Sequence, residues 1–238
     1  MNAMDAAYPD RPAKAAVFPG EDYDYLRRGP LLTAGCRLFR LFVLTILWPY
    51  FLFVNGVRIR GLRNARALRK TGYVAVCNHV NKMDSPLASE AIGLRRSYYV
   101  TLTENLRLPV AGPLVRALGG VPLGSSPAQL GRLMENMHEA LLAGRVVMVF
   151  PEGELIPYCR ELRTFHRGGF VMAAEAHVPV LPMRITYREP KGLWRHLRKK
   201  PFLTLNVLPP LRPDESLAPR AQSLALMQAS REAMEQCH

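Results

Sequence analysis

Residues 73–86 read YVAVCNHVNKMDSP, an apolar run that gives way to a polar turn and then to residues able to start a helix. YVAVC, residues 73–77, has the length and β-branched content of a strand buried on both faces. Asp84 or Ser85 is suited to cap the helix that follows, SPLASEAIG, which carries Pro86 in its first turn. Between strand and helix stand His79 and Asp84. Five positions are a rotation of roughly 140° on a helix, so the two side chains can meet only if the residues between them form a turn.

The same alternation recurs outward from this unit. SYYVTL (97–102), RVVMVF (145–150), VPVLPMRITY and FLTLNVL read as strands, and PVAGPLVRALGG, PAQLGRLMENMHEALLAG and FVMAAEAH as helices. Leu130, Leu133, Met134, Met137 and Leu141 recur at helical spacing until Gly144 stops the run. Strands alternating with helices predict an α/β layered fold, a largely parallel mixed sheet flanked by helices. In such folds the working residues collect on loops at the carboxyl ends of strands, where NHVNKMD and PEGE both fall.

Charge narrows the partners. The 238 residues carry 32 Lys and Arg against 19 Asp and Glu, a formal net charge of +13. Nucleic acid, an anionic membrane surface and phosphate-bearing substrates are the partners such a balance favours. Nucleic acid is set aside: the chain holds no recognised binding motif, and its basic residues flank an apolar stripe instead of interleaving with aromatics. Cys36, Cys77, Cys159 and Cys237 are too widely spaced for a zinc site and fit free thiols in a reducing compartment.

The apolar stripe is LFVLTILWPYFLFV, Leu41 to Val54, fourteen residues without a charge. It is short of the ~20 residues that span a bilayer and is interrupted by Pro49. With Arg27, Arg28, Arg37 and Arg40 before it and Arg58, Arg60 and Arg63 after it, both flanks belong on the cytoplasmic face. Residues 31–56 are therefore predicted to be an interfacial helical segment dipping into one leaflet, with Trp48 and Tyr50 at the headgroups. A buried pair of core helices is the alternative. Residues 1–30 read as a loosely ordered arm, 57–215 as the main domain and 216–238 as a helical tail.

Two short segments carry chemistry. A histidine near its ordinary pKa can take a proton from an alcohol while a carboxylate on its other ring nitrogen fixes the tautomer, and His79 with Asp84 supplies both groups. No serine or cysteine nucleophile is needed if the attacking hydroxyl belongs to the substrate. VVMVFPEGELIPY ends a strand in Pro151, Glu152 and Gly153; the glycine lets backbone approach a ligand, and the carboxylate can bind a hydroxyl or a cation. Taken singly, each segment is also what an ordinary polar loop looks like.

Together they resemble the glycerolipid acyltransferases of the 1-acylglycerol-3-phosphate acyltransferase type, the lysophospholipid acyltransferase superfamily. The H-x-x-x-x-D motif is His79 and Asp84, F-P-E-G is Phe150 to Gly153, F-x-x-G is Phe165 to Gly168, and the V-P-hydrophobic-hydrophobic-P motif is Val178 to Pro182. The likeness runs from about Val57 to Pro213, and the basic stretch PKGLWRHLRKK resembles the family's carboxyl-terminal portion. It implies transfer of a fatty acyl group from acyl-CoA or acyl carrier protein to a lysolipid hydroxyl at a membrane, with His79 as base and Asp84 as its orienter. Glu152, Gly153, Pro151, Asn78, Ser85, Arg163 and Arg167 are then expected at the acceptor. Neither metal nor cofactor is expected, because a thioester is already activated.

The chain departs from that pattern at the phosphate. Ser125 and Leu155 stand where relatives acting on a phosphorylated glycerol carry arginines, Glu154 stands where they carry threonine, and Thr103 stands for a lysine. Guanidinium forks are the side chains best matched to phosphate. Either Arg132, Arg160, Arg163 or Arg167 substitutes, or the acceptor is another lysophospholipid or a lyso-aminolipid.

Overall fold

The structure, a computed structural model, describes residues 23–27, 29–192, 195 and 199–237. Seven strands form one sheet: β1 (Arg58–Arg60), β2 (Tyr73–Cys77), β3 (Ser97–Leu102), β4 (Gly120–Leu123), β5 (Val146–Val149), β6 (Val180–Arg188) and β7 (Phe202–Val207). Their order is β1-β7-β6-β2-β5-β3-β4. Every pairing is parallel except β6 with β7, so five strands run one way and β1 and β7 the other. The expected largely parallel, mixed α/β sheet is the fold observed.

Alternate residues of β2 explain why the sheet needs cover on both sides. Val74 and Val76 join one core with Tyr98, Val147 and Val180, while Tyr73, Ala75 and Cys77 join the other with Met148, Leu181 and Met183. All five β2 side chains are fully buried, which is what a continuous apolar run in a central parallel strand means. Helices α5 (Pro127–Leu142), α6 (Gly168–Glu175) and α7 (Pro219–Glu235) cover the first face. On the second lie α2 (Leu62–Ala67) and α3 (Asp84–Ile92). Helix α4 (Ala111–Ala117) connects β3 to the edge strand β4. The residues 216–238 expected as a tail hold α7, which buries Leu226 and Met234 in the first core.

Helix α1 (Pro30–Pro49) continues into a π-helical turn, Tyr50–Val54. The expectation of a short run broken at Pro49 is corrected. Pro49 sits at φ −57°, ψ −42° inside the helix. The turn behind it widens, the Asn55 N–H donating to the Tyr50 carbonyl at 3.3 Å, and the helix runs through the proline without a break. The resulting 25-residue helix, Pro30–Val54, is long and apolar enough to cross a membrane by length and composition. Arg40 ties it to the first residues of β3, and the Asn55 carbonyl accepts from Leu203, beside the end of β6. It therefore runs from the amino ends of the parallel strands to their carboxyl ends.

Of the arm expected over residues 1–30, the first 22 lie outside the described residues. Tyr25 and Leu26 are buried in the first core, so this part is packed and not loose. Leu193, Trp194, His196, Leu197 and Arg198 of the basic stretch PKGLWRHLRKK also lie outside them.

Candidate active site

The turn after β2 does what the spacing demanded. Asp84 is fully buried, and its Oδ2 accepts from the Val80 N–H at 2.6 Å and the Asn81 N–H at 2.8 Å while standing 3.0 Å from His79 Nδ1. The loop is thereby wound around one carboxylate oxygen. Asp84 is the first residue of α3 and Met83 its cap, so the expected capping role of Asp84 or Ser85 is corrected: the carboxylate turns back to the loop. Burial pushes the Asp84 carboxyl above its ordinary range, against the lowering effects of His79 and the two N–H groups. His79 stacks on Phe150, ring centroids 4.1 Å apart at 18°. With Nδ1 toward Asp84, Nε2 is the nitrogen left for a ligand.

The PEG loop, after β5, closes on the same turn. Glu152 has a side chain 1% exposed. Its Oε2 accepts from the His79 N–H at 3.1 Å and from the Arg163 guanidinium at 2.9 Å, and its Oε1 accepts from the Arg163 N–H at 3.3 Å. Further along, Ile156 N–H donates to the His79 carbonyl at 3.2 Å and Tyr158 N–H to the Val80 carbonyl at 3.0 Å. Gly153 has φ +71°, and a Cβ there would stand 3.0 Å from the His166 ring. The Pro151 carbonyl accepts from the His166 N–H at 2.7 Å.

The structure thus brings together His79, Asp84, Pro151, Glu152, Gly153 and Arg163. Asn78 is adjacent, but its side-chain amide bonds the Ile185 N–H and carbonyl at 2.8 and 3.1 Å, extending the β2–β6 pairing. Ser85 lies one residue into α3, its carbonyl accepting from the Ser89 hydroxyl. Arg167 caps α6, its carbonyl accepting from Phe170 and Val171 N–H groups.

The positions that depart from the family's phosphate-binding pattern have local partners. Ser125 donates its N–H to Gln129 at the start of α5, and Thr103 donates its hydroxyl to the Leu123 carbonyl. Arg160 pairs with Glu189 on the surface. Arg163 faces Glu152 and the Glu154 carbonyl, with the Glu154 carboxylate at 4.0 Å. Arg231 of α7 escaped the sequence reading, although it donates to the Arg163 carbonyl at 2.6 Å and the Leu162 carbonyl at 3.2 Å. It stands 68 residues from Arg163, and no local motif marks it.

These polar groups gather at the carboxyl ends of β2 and β5 in a mainly parallel α/β sheet, the place where such folds build sites. A family model described as Acyltransferase matches residues 56–186, more than half of the chain, and the protein belongs to that family. It is similar to the lyso-ornithine lipid O-acyltransferase of Pseudomonas aeruginosa, 32% identical over 113 residues. That alignment covers 48% of this chain and 42% of the relative, so it spans less than half of the relative's length. The fold is also that of the 1-acyl-sn-glycerophosphate acyltransferase PlsC from Thermotoga maritima, with a TM-score of 0.56 and 22% identity over 86% of this chain and 79% of that one.

Proposed function

We propose that this acyltransferase moves a fatty acyl group from a thioester donor, acyl-CoA or acyl carrier protein, to the hydroxyl of a membrane lysolipid. The observation that carries the reading is His79, held through Nδ1 by Asp84 at 3.0 Å with its other nitrogen open. The acceptor hydroxyl gives its proton to His79 Nε2 as its oxygen attacks the thioester carbonyl. The tetrahedral intermediate then collapses, the carbon–sulfur bond breaks, and the thiolate leaves with the proton that His79 returns. Asp84 holds the tautomer and offsets the imidazolium charge, while Glu152 fixes the His79 backbone.

Membrane association is supported by the exposed stripe of Leu38, Phe42, Ile46 and Phe53 on α1 and its π turn. Because α1 is docked lengthwise on the domain, this stripe lies along the protein, and its Phe53 end is the end of the sheet that carries His79. Arginines on both sides of the stripe favour the cytoplasmic face.

The arrangement around Glu154 favours a lyso-aminolipid over a lysophosphatidate as acceptor. Arg163 already has Glu152 as its counter-charge, and the Glu154 carboxylate adds negative potential beside it. The similar Pseudomonas aeruginosa protein is named for lyso-ornithine lipid, an acceptor of that kind. A panel of lysolipid acceptors with one acyl donor, read by mass spectrometry, tests both points. His79→Ala should lower the rate by roughly 10² to 10⁴, with the aminolipid acceptor preferred by the wild type. Full activity in the variant overturns the mechanism, and preference for lysophosphatidate overturns the acceptor.

A further inference from the structure

Far from His79, a cavity of about 170 Å³ opens between the first half of α1, the start of β3 and the end of α4. Arg27, Arg37, Arg40, Arg95, Arg96 and Arg116 line it, and no carboxylate does. Their described partners are neutral groups. Arg40 donates to the Ser97 and Tyr99 hydroxyls, Arg95 to the carbonyls of Leu68, Thr71 and Gly144, and Arg96 to the Thr33 hydroxyl and the carbonyls of Leu26 and Arg27. Arg116 lies over the Tyr23 ring at 4.7 Å. Among the described residues none of the six has a carboxylate within ion-pair distance. Arg40 is only 6% exposed and keeps its Nε without a partner.

Two acids stand nearby. Asp24 accepts from the Leu26 and Arg27 N–H groups, and Glu90 approaches Arg40 across the α1–α3 seam. They leave a cationic excess whose mutual repulsion an anion in the cavity would relieve. Guanidinium groups match the oxygens of a phosphate. Leu31, Leu32 and Leu38 are exposed on the same part of α1, so a ligand that joins a phosphate to acyl chains meets complementary surface. This is not the acceptor site. The cavity lies at the amino end of β3 and His79 beyond the carboxyl end of β2, and a six-residue strand separates those ends by roughly 20 Å.

We propose that this cavity binds the phosphate of an anionic bilayer phospholipid and so holds the first half of α1 against the membrane, an inference that rests on the membrane reading above. Cys36 lines the cavity, half-buried, which makes its alkylation by N-ethylmaleimide a local probe, with Cys237 as reference. The full chain is treated with dihexanoyl-phosphatidylglycerol, dihexanoyl-phosphatidylcholine or inorganic phosphate, and labelling is mapped by mass spectrometry. Phosphatidylglycerol should slow Cys36 at least fivefold and leave Cys237 unchanged. Arg27→Gln with Arg37→Gln, or Arg37→Gln alone if the pair does not fold, should remove most of that protection. Equal protection by phosphatidylcholine or by inorganic phosphate, or protection that survives the substitutions, overturns the proposal. Flotation on vesicles separates the two readings. A chain that shows Cys36 protection but does not float keeps the cavity and loses the membrane reading; one that floats unprotected does the reverse.

Discussion

At the residue scale, one buried carboxylate organises each loop of the site. Asp84 gathers two backbone N–H groups and the His79 ring on a single oxygen, and Glu152 gathers the His79 backbone and both ends of Arg163. Glu152→Gln keeps the shape but leaves the largely buried guanidinium with only the more distant, exposed Glu154 carboxylate at 4.0 Å. The expected loss is about 2–4 kcal/mol of stability in urea unfolding; a change within 0.5 kcal/mol would show that the pair does not hold the loop. That His79, Asp84 and Glu152 belong together is an expectation from the family's motifs taken jointly, since each segment singly looks like an ordinary polar loop. That Asn78 completes a β-ladder is not legible in the sequence, since the amide's partner Ile185 is 107 residues away.

At the element scale, helix α7 holds the site from behind, and helix α3 carries an acid against α1. Arg231 of α7 grips the carbonyls of Leu162 and Arg163, so Arg231→Ala should free the segment that carries Arg163. The expected result is a KM for the acceptor raised severalfold with kcat changed less, and equal losses in both would point to a general defect. The seam between α1 and α3 contains Glu90, whose carboxyl burial pushes up to about 7 although Arg40 lowers it. A raised carboxyl pKa means that the stability present below the ordinary value of 4.5 is lost as pH climbs through about 7. Glu90→Gln should remove this dependence and raise stability at pH 8 by about 1–2 kcal/mol, an amount reduced by the half-open position. Thermal unfolding at pH 5 and pH 8 measures it, and an equal effect at both values would sink the assignment.

At the scale of the whole molecule, α1 joins the two ends of the sheet and turns an apolar stripe outward along its length. Phe53 is 79% exposed at the end nearest His79. Burying an aromatic side chain in lipid is favourable by about 1.5–3 kcal/mol, so Phe53→Asp should weaken vesicle binding at least tenfold. Activity on a soluble short-chain lysolipid should stay within twofold. Unchanged flotation would mean that another surface carries the membrane contact.

The sequence by itself determined the alternation of strands and helices, and with it the parallel sheet. It also determined the strand-end motifs that identify the family, because periodicity and a short turn are local properties. The edge strands β1 and β4 and the short helix α2 were not legible: RIR and GVPL are too short to show a period, and only their neighbours make them strands. Only the folded structure shows that the helix continues through Pro49 into a widened turn and that α7 closes the core. It also decided that Arg163 faces Glu152. The closing of the core by α7 depends on contacts between segments distant in the chain, and the other two on loop and helix geometry that side-chain pattern does not encode.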